Sequence, residues 1–191
     1  MLVFLRNFTC AGIVVLQALL PALVAAAPCD APEFDGLRSI VRRNYGQWQV
    51  VSIESLSPDD ASIWKEKWGN ECPGIAAGSF DGSRRTQYAV LLIFEPARST
   101  SASDHAIRQM RLLHVIADNG FKFRLLDSGP AALVPVIRRL PPGTYHYFKK
   151  GSGSRTPMKS PTDMVLLELM EASSFAYLVD ASRVKQFTLS F

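Results

Sequence analysis

From Tyr88 to Phe94 the chain reads Tyr-Ala-Val-Leu-Leu-Ile-Phe, a near-continuous apolar run. A run of this length without alternation is the pattern of a central strand buried on both faces. The rest of the chain arranges itself around that strand. After Pro73-Gly74 the pattern turns to strands and stays there. Met110 to Ile116 and Phe121 to Leu125 flank Asn119-Gly120, the strongest short hairpin signal. In the second arm Phe121, Phe123 and Leu125 alternate with Lys122 and Arg124, which predicts one wet face. A further strand is expected over Ala132 to Ile137, with Thr144 to Phe148 continuing it beyond Pro141-Pro142-Gly143. Lys149 to Pro161 is rich in Gly, Ser, Lys and Pro and is expected to be a surface loop. Met164 to Met170, Phe175 to Val179 and Val184 to Phe191 form a last meander.

Two helices precede the strands. Asp35 is placed to cap a helix whose apolar positions Leu37, Ile40, Val41 and Tyr45 share one face, with Gly46 as its stop. Trp48 to Ile53 reads as a strand. The second helix opens with Ser57-Pro58-Asp59-Asp60: a cap, a first-turn proline and two acids at the positive end of the dipole. Ala61, Trp64 and Trp68 fall on its inner face, and Gly69-Asn70 ends it. Two tryptophans four apart fit a stacking platform, but that spacing is more often core. The expected fold class is α+β, an antiparallel β-rich single domain with two N-terminal helices, preceded by a signal peptide.

That leader is read over residues 1–27. Arg6 supplies the positive n-region, Ala11 to Leu23 is apolar apart from Gln17, and Ala25-Ala26-Ala27 offers small residues before Pro28. The apolar core is too short, and too interrupted by Gln17 and Pro21, for a comfortable membrane span of about 20 residues. Pro28 before Cys29 argues against lipidation. The mature domain is then residues 28–191, periplasmic or extracellular, with no stable membrane anchor. Cys10 leaves with the leader, so Cys29 and Cys72 are the mature pair and most simply one disulfide. Closing a loop of about 44 residues is worth roughly 4 kcal/mol in the chain-entropy model. The net charge of +4 is spread in scattered pairs, Arg42-Arg43, Arg84-Arg85, Arg138-Arg139 and Lys149-Lys150. No stripe forms, so nucleic acid is not an expected partner.

The segment Gly78-Ser79-Phe80-Asp81-Gly82-Ser83-Arg84-Arg85-Thr86-Gln87-Tyr88-Ala89-Val90-Leu91 resembles the FG-GAP or VCBS repeat of integrin-like propellers. In that family an acidic loop wraps calcium, which takes six to eight oxygen ligands, and the apolar tail enters a blade strand. Here Asp81 alone remains of the acidic set. Ser79 and Ser83 stand where acids would be, Gln87 replaces the last, and Arg84 and Arg85 add positive charge. The resemblance therefore implies the loop shape, with Asp81 a weak remnant of a calcium loop and no metal or other cofactor expected. The match occurs once, and a propeller needs at least four blades. The layout from Cys72 to Leu92, with Leu140 to Tyr145 and Met164 to Phe191, is similar to secreted bacterial proteins of uncharacterised activity. That likeness implies fold and export only.

Catalytic constellations are not evident. Gly151-Ser152-Gly153-Ser154 is not the nucleophile elbow Gly-x-Ser-x-Gly. His105, His114 and His146 lie in unrelated contexts, and His114 interrupts an apolar strand as a hydrogen-bonded sheet residue would. Asp59 and Asp60 are explained by capping, and Glu168 and Glu171 by a strand and its turn. No metal-ligand spacing occurs. Two function classes follow. The first is a non-enzymatic exported module that binds an envelope or secreted protein, inhibitor- or immunity-like, through the polar loops Ser99 to Asp104 and Lys149 to Pro161. The second is a secreted hydrolase acting on cell-wall or glycan material, with Asp81 or His146 in its site. A cleft where titratable groups converge discriminates them.

Overall fold

The computed structural model describes residues 28–83, 85–95, 108–117, 121–149, 153–170, 172–180 and 183–190. The leader, Arg84, the segment Ser99 to Asp104, His105, Asn119-Gly120, Lys150, Gly151-Ser152, Glu171 and Phe191 lie outside them.

Helix α1 spans Asp35–Tyr45, and a single 3-10 turn, Pro32–Phe34, runs straight into it. That turn displaces the expected cap. Phe34 holds the cap position without a side-chain bond, while Asp35 is the first helical residue and pairs with Arg38. Gly46 ends α1 in the left-handed region at φ 56°, where glycine pays no Cβ penalty. Helix α2, Pro58–Trp68, starts as the sequence requires: the Ser57 hydroxyl accepts from the Asp60 N–H at 3.1 Å. Between the helices the expected strand shrinks to β1, Gln49–Val50, followed by a 3-10 turn at Ile53–Ser55. Two causes are visible. The Ser55 hydroxyl takes the Ser52 N–H at 3.1 Å, a local bond that competes with a ladder. The next rung is only half made: the Val51 N–H reaches Leu91 O at 3.0 Å, but the Leu91 N–H donates to Gly74 O at 2.9 Å.

The first sheet comprises β1, β2 (Ile75–Gly78), β3 (Gln87–Phe94), β4 (Arg108–Ala117) and β5 (Phe121–Ala131), all antiparallel. β3 lies between β4 on one side and β1 and β2 in succession on the other. Its Val90 and Leu92 pack with Leu37 and Val41 of α1. Its Ala89, Leu91 and Ile93 pack into a second core. The unbroken apolar run is thus explained by a helix on one face and another sheet on the other. Pairing of Ala117 with Phe121 gives the expected hairpin. The alternation in β5 runs in register through Phe123 and Leu125, opposite Val115 and Leu113, and ends at a bulge that pairs Leu112 with Asp127. Leu126 is the extra residue and turns into the inter-sheet core, whereas Leu125, on the α1 side with Phe123, is 53% exposed.

The second sheet holds β6 (Val136–Leu140), β7 (Gly143–Phe148), β8 (Arg155–Ser160), β9 (Met164–Leu169), β10 (Ser173–Val179) and β11 (Val184–Ser190). Their order is β6-β9-β10-β11-β7-β8, so the expected terminal meander forms the middle of the sheet. β7 does not continue the strand before it. It lies four places away from β6, about 19 Å in a flat sheet at about 4.8 Å per strand. Only Pro141 and Pro142 separate Leu140 from Gly143, and three Cα steps span at most about 11 Å. The sheet must therefore roll into an open barrel. Met164, Leu166 and Ala176 are buried on the face of this sheet opposite to Val165, Leu167 and Tyr177 of the inter-sheet core.

The expected loop Lys149 to Pro161 is corrected by β8, whose Arg155–Ser160 pairs along β7 from Phe148 to Gly143. As the edge strand it needs one ladder only, which is where Pro157 is tolerated. Its alternation is in exposure, with Thr156, Met158 and Ser160 turned inward, and hydropathy hides it. The inter-sheet core joins Val51, Trp64, Phe80, Leu91 and Leu112 to Val136, Ile137, Val165, Leu167, Tyr177 and Val179. α2 closes one side of it, where the Arg138 guanidinium lies 4.3 Å over Trp68 and bonds Glu168 through Nε (2.9 Å) and Nη2 (2.6 Å). The Tyr177 hydroxyl donates to Asp127 and accepts from Gln186, tying β10 to β5; burial first, then the Asp127 carboxylate, raises its pKa strongly.

Candidate functional site

Four segments converge beside α1. The disulfide between Cys29 and Cys72, Cα atoms 4.5 Å apart, holds the N-terminal segment against the chain that leaves α2. Such a bond suits an oxidising compartment. Arg38 of α1 donates to Cys29 O and to Asp35, fixing the same segment from the helix. The stop at Gly46 turns the chain into β1, and the stop at Gly69 turns it past Asn70 and Glu71 to Cys72. Between these walls lies a cleft of about 820 Å³. Arg42, Trp48, Gln49, Glu54, Asn70 and Glu71 line it, over Val41, Val50 and Ile53.

The charges in this cleft are only partly spent. Arg38 is engaged, whereas Arg42 has no ion-pair partner among the described residues. Burial raises the Glu71 carboxyl above its ordinary value, and Arg138 offsets part of that. A hydrogen bond from the Ser52 side chain, with one from its own backbone, holds Glu54 below its ordinary value. Trp48 is held between Phe94, ring centroids 5.6 Å apart, and the Arg111 guanidinium 4.5 Å from its ring. The walls thus offer the Arg42 cation, carboxylates, side-chain amides and a fixed aromatic edge. That is a binding surface with hydrogen-bonding direction, of a volume ordinary for ligand clefts.

Asp81 is elsewhere, in the loop between β2 and β3. Its Oδ1 accepts from the Ser83 N–H at 2.8 Å, and Gly82 follows at φ 77°, a tight turn leading into a buried strand. Gln87, fully buried, supplies the cross-braces: its Oε1 accepts from the Asp81 N–H at 3.2 Å and its Nε2 donates to Ser83 Oγ at 3.1 Å. Burial opposes ionisation of Asp81, but the bonds from Ser83 and Gln87 outweigh it and hold the carboxyl below its ordinary value. The loop is anchored again where the Ser79 N–H donates to Asp163 at 2.7 Å. Among the described residues no group of three or more His, Cys, Asp or Glu is placed to hold a metal ion.

The two described histidines, His114 and His146, do not meet. His114 is buried in β4 and bonded to Gln87 at 2.7 Å. His146 is exposed on β7, in the second sheet, opposite Pro157. Neither lines the cleft, nor does Asp81. Trp64 is core, and Trp68 is covered by Arg138. Asp60 belongs to the Ser57 cap and Glu168 to Arg138. The cleft residues carried no local sequence signal, because Arg42 reads as half of a solvated pair and Glu71 as a helix-exit residue. Comparison with protein-family models, curated proteins and solved structures finds no match.

Proposed function

We propose that this chain is an exported binding module: a signal peptide over residues 1–27 sends a single domain, residues 28–191, to the periplasm or beyond the cell, where it holds a protein partner without chemistry of its own. The observation that carries the reading is the cleft beside α1, where Arg42, without an ion-pair partner among the described residues, and the carboxylates of Glu54 and Glu71 share the lining with Trp48, itself held between Phe94 and Arg111. These groups sit on walls joined by the Cys29–Cys72 disulfide, so little order has to be gained on binding. A partner segment carrying both charges satisfies both walls. The FG-GAP-like loop is then a structural brace, held by Gln87 through the Asp81 N–H and the Ser83 hydroxyl. A hydrolase acting on cell-wall or glycan material has one observation on its side, the carboxyls of Glu54 and Glu71 in the cleft, but the residues named for it do not supply that site: Asp81 is bonded within its own loop and His146 lies outside the cleft.

The test is retention from a cell-envelope extract by the purified protein, in parallel with the variants Arg42→Glu and Glu54→Lys. A protein held by the parent and lost from both variants is the expected outcome. Retention of nothing specific, or equal retention by all three, contradicts the proposal.

A further inference from the structure

Two buried side-chain atoms among the described residues have no hydrogen-bond partner, His114 Nδ1 and Thr162 Oγ1. Both flank the loop between β2 and β3. His114 lies under it, edge-on to Phe80 with ring centroids 6.0 Å apart. Thr162 lies against it, since a Cβ at Gly82 would come 2.9 Å from Thr162 Cγ2. Buried polar atoms are normally paired, so two orphans at one joint mark it as the least satisfied place in the core. The tautomer of His114 follows from the network. The Asp81 N–H can only donate, so the Gln87 atom it meets is the carbonyl oxygen. That oxygen also faces His114 Nε2, so Nε2 carries the hydrogen and Nδ1 is a bare acceptor.

We propose that the turn Ser79 to Ser83 of this loop is an acid-opened latch whose trigger is the proton taken up by His114 Nδ1. A proton there creates a buried N–H with no acceptor and a charge in the end of the inter-sheet core, and the latch relieves both by lifting so that water reaches the ring. The charged groups facing the ring are Asp81 from the loop and Arg124 from β5, whose register places it opposite His114. Desolvation dominates and lowers the His114 pKa; Asp81 pulls the other way and Arg124 reinforces the lowering. Above 6.5, the ordinary value, neither the closed nor the open form is protonated and opening is independent of pH. As pH falls through that value the open form gains a proton that the closed form refuses, so opening becomes easier down to the lowered pKa of the closed form. The latch also braces β3 and β4 to the turn before β9, through Asp163, which Arg139 holds at 3.1 Å. Its release therefore loosens that end of the two-sheet core and leaves the disulfide end untouched.

The experiment is amide hydrogen exchange between about pH 7.5 and about pH 5, corrected for intrinsic exchange. It uses the full exported chain with His105 and His146 changed to glutamine, which leaves His114 as the one titrating imidazole. Protection at Asp81, Ser83 and Gln87 should fall, by up to about tenfold per pH unit below the ordinary histidine value, while β10 and α1 stay protected. The same chain carrying His114→Gln should show flat, pH-independent protection. Where that variant does not fold, nuclear magnetic resonance of the His114 ring in the parent decides. A pKa below the ordinary value that tracks the loop opening supports the latch, and one at or above it refutes it. Unchanged loop protection, or loss spread evenly over both sheets, also overturns the proposal.

Discussion

Gly74 shows how a single residue fixes the meeting of β1, β2 and β3. A Cβ there would lie 2.2 Å from Val51 O and 2.8 Å from Val51 N, both main-chain atoms that have no rotamer to change. The same residue's carbonyl takes the Leu91 N–H in place of Val51 O, while the Val51 N–H still reaches Leu91 O, so Gly74 supplies half of the rung beyond β1. Gly74→Ala is expected to lower stability by about 2 kcal/mol or more, as overpacking of a dense core does, read as the midpoint of urea unfolding at unchanged slope. An unchanged midpoint would mean the close approach relaxes freely. At this scale the sequence was readable only in part. Pro73-Gly74 was visible as the end of the helical region, but nothing in the order of residues says that Val51 lies against it.

At the scale of elements, start signals made of adjacent residues were legible and signals that depend on a neighbour were not. Ser57-Pro58-Asp59-Asp60 builds the start of α2 as written, because the cap and the N–H it satisfies are three residues apart. Asp35 looked equally good and is not a cap, because Pro32 begins a turn that delivers the chain to α1 already helical. The contrast is measurable. Ser57→Ala should cost about 1 kcal/mol, and Asp35→Ala at most about half of that, since its exposed pair with Arg38 is worth little. Equal losses in thermal unfolding would show that Asp35 does cap. Leu126 and β8 were hidden for related reasons. A bulge turns Leu126 into the inter-sheet core, and an edge strand with one ladder does not need an apolar face.

For the whole molecule, the class of fold was legible because most strands, β8 excepted, show their own pattern, whereas the order of strands was not. Placing β7 four positions from β6 depends on the sheet rolling, and two prolines between them say nothing of it until both ladders are known. The cleft was hidden for the same reason. It is assembled from the N-terminal segment, α1, β1 and the exit of α2, which the disulfide brings together across a separation of 43 residues. Reducing that bond, or replacing Cys29 and Cys72 by alanine, should remove about 4 kcal/mol of stability, seen as a lower unfolding midpoint, and should weaken partner retention more than it alters the second sheet. Loss of stability with partner retention intact would separate the disulfide from the site.

The central claim is that the cleft beside α1 holds a protein partner, and it is tested most directly by a photo-crosslinking residue placed at Gln49 in producing cells, beside a control at the exposed Lys159 of β8. A discrete crosslinked band from Gln49, absent from Lys159 and lost with Arg42→Glu, is predicted; no band, or the same band from both positions, would contradict the account.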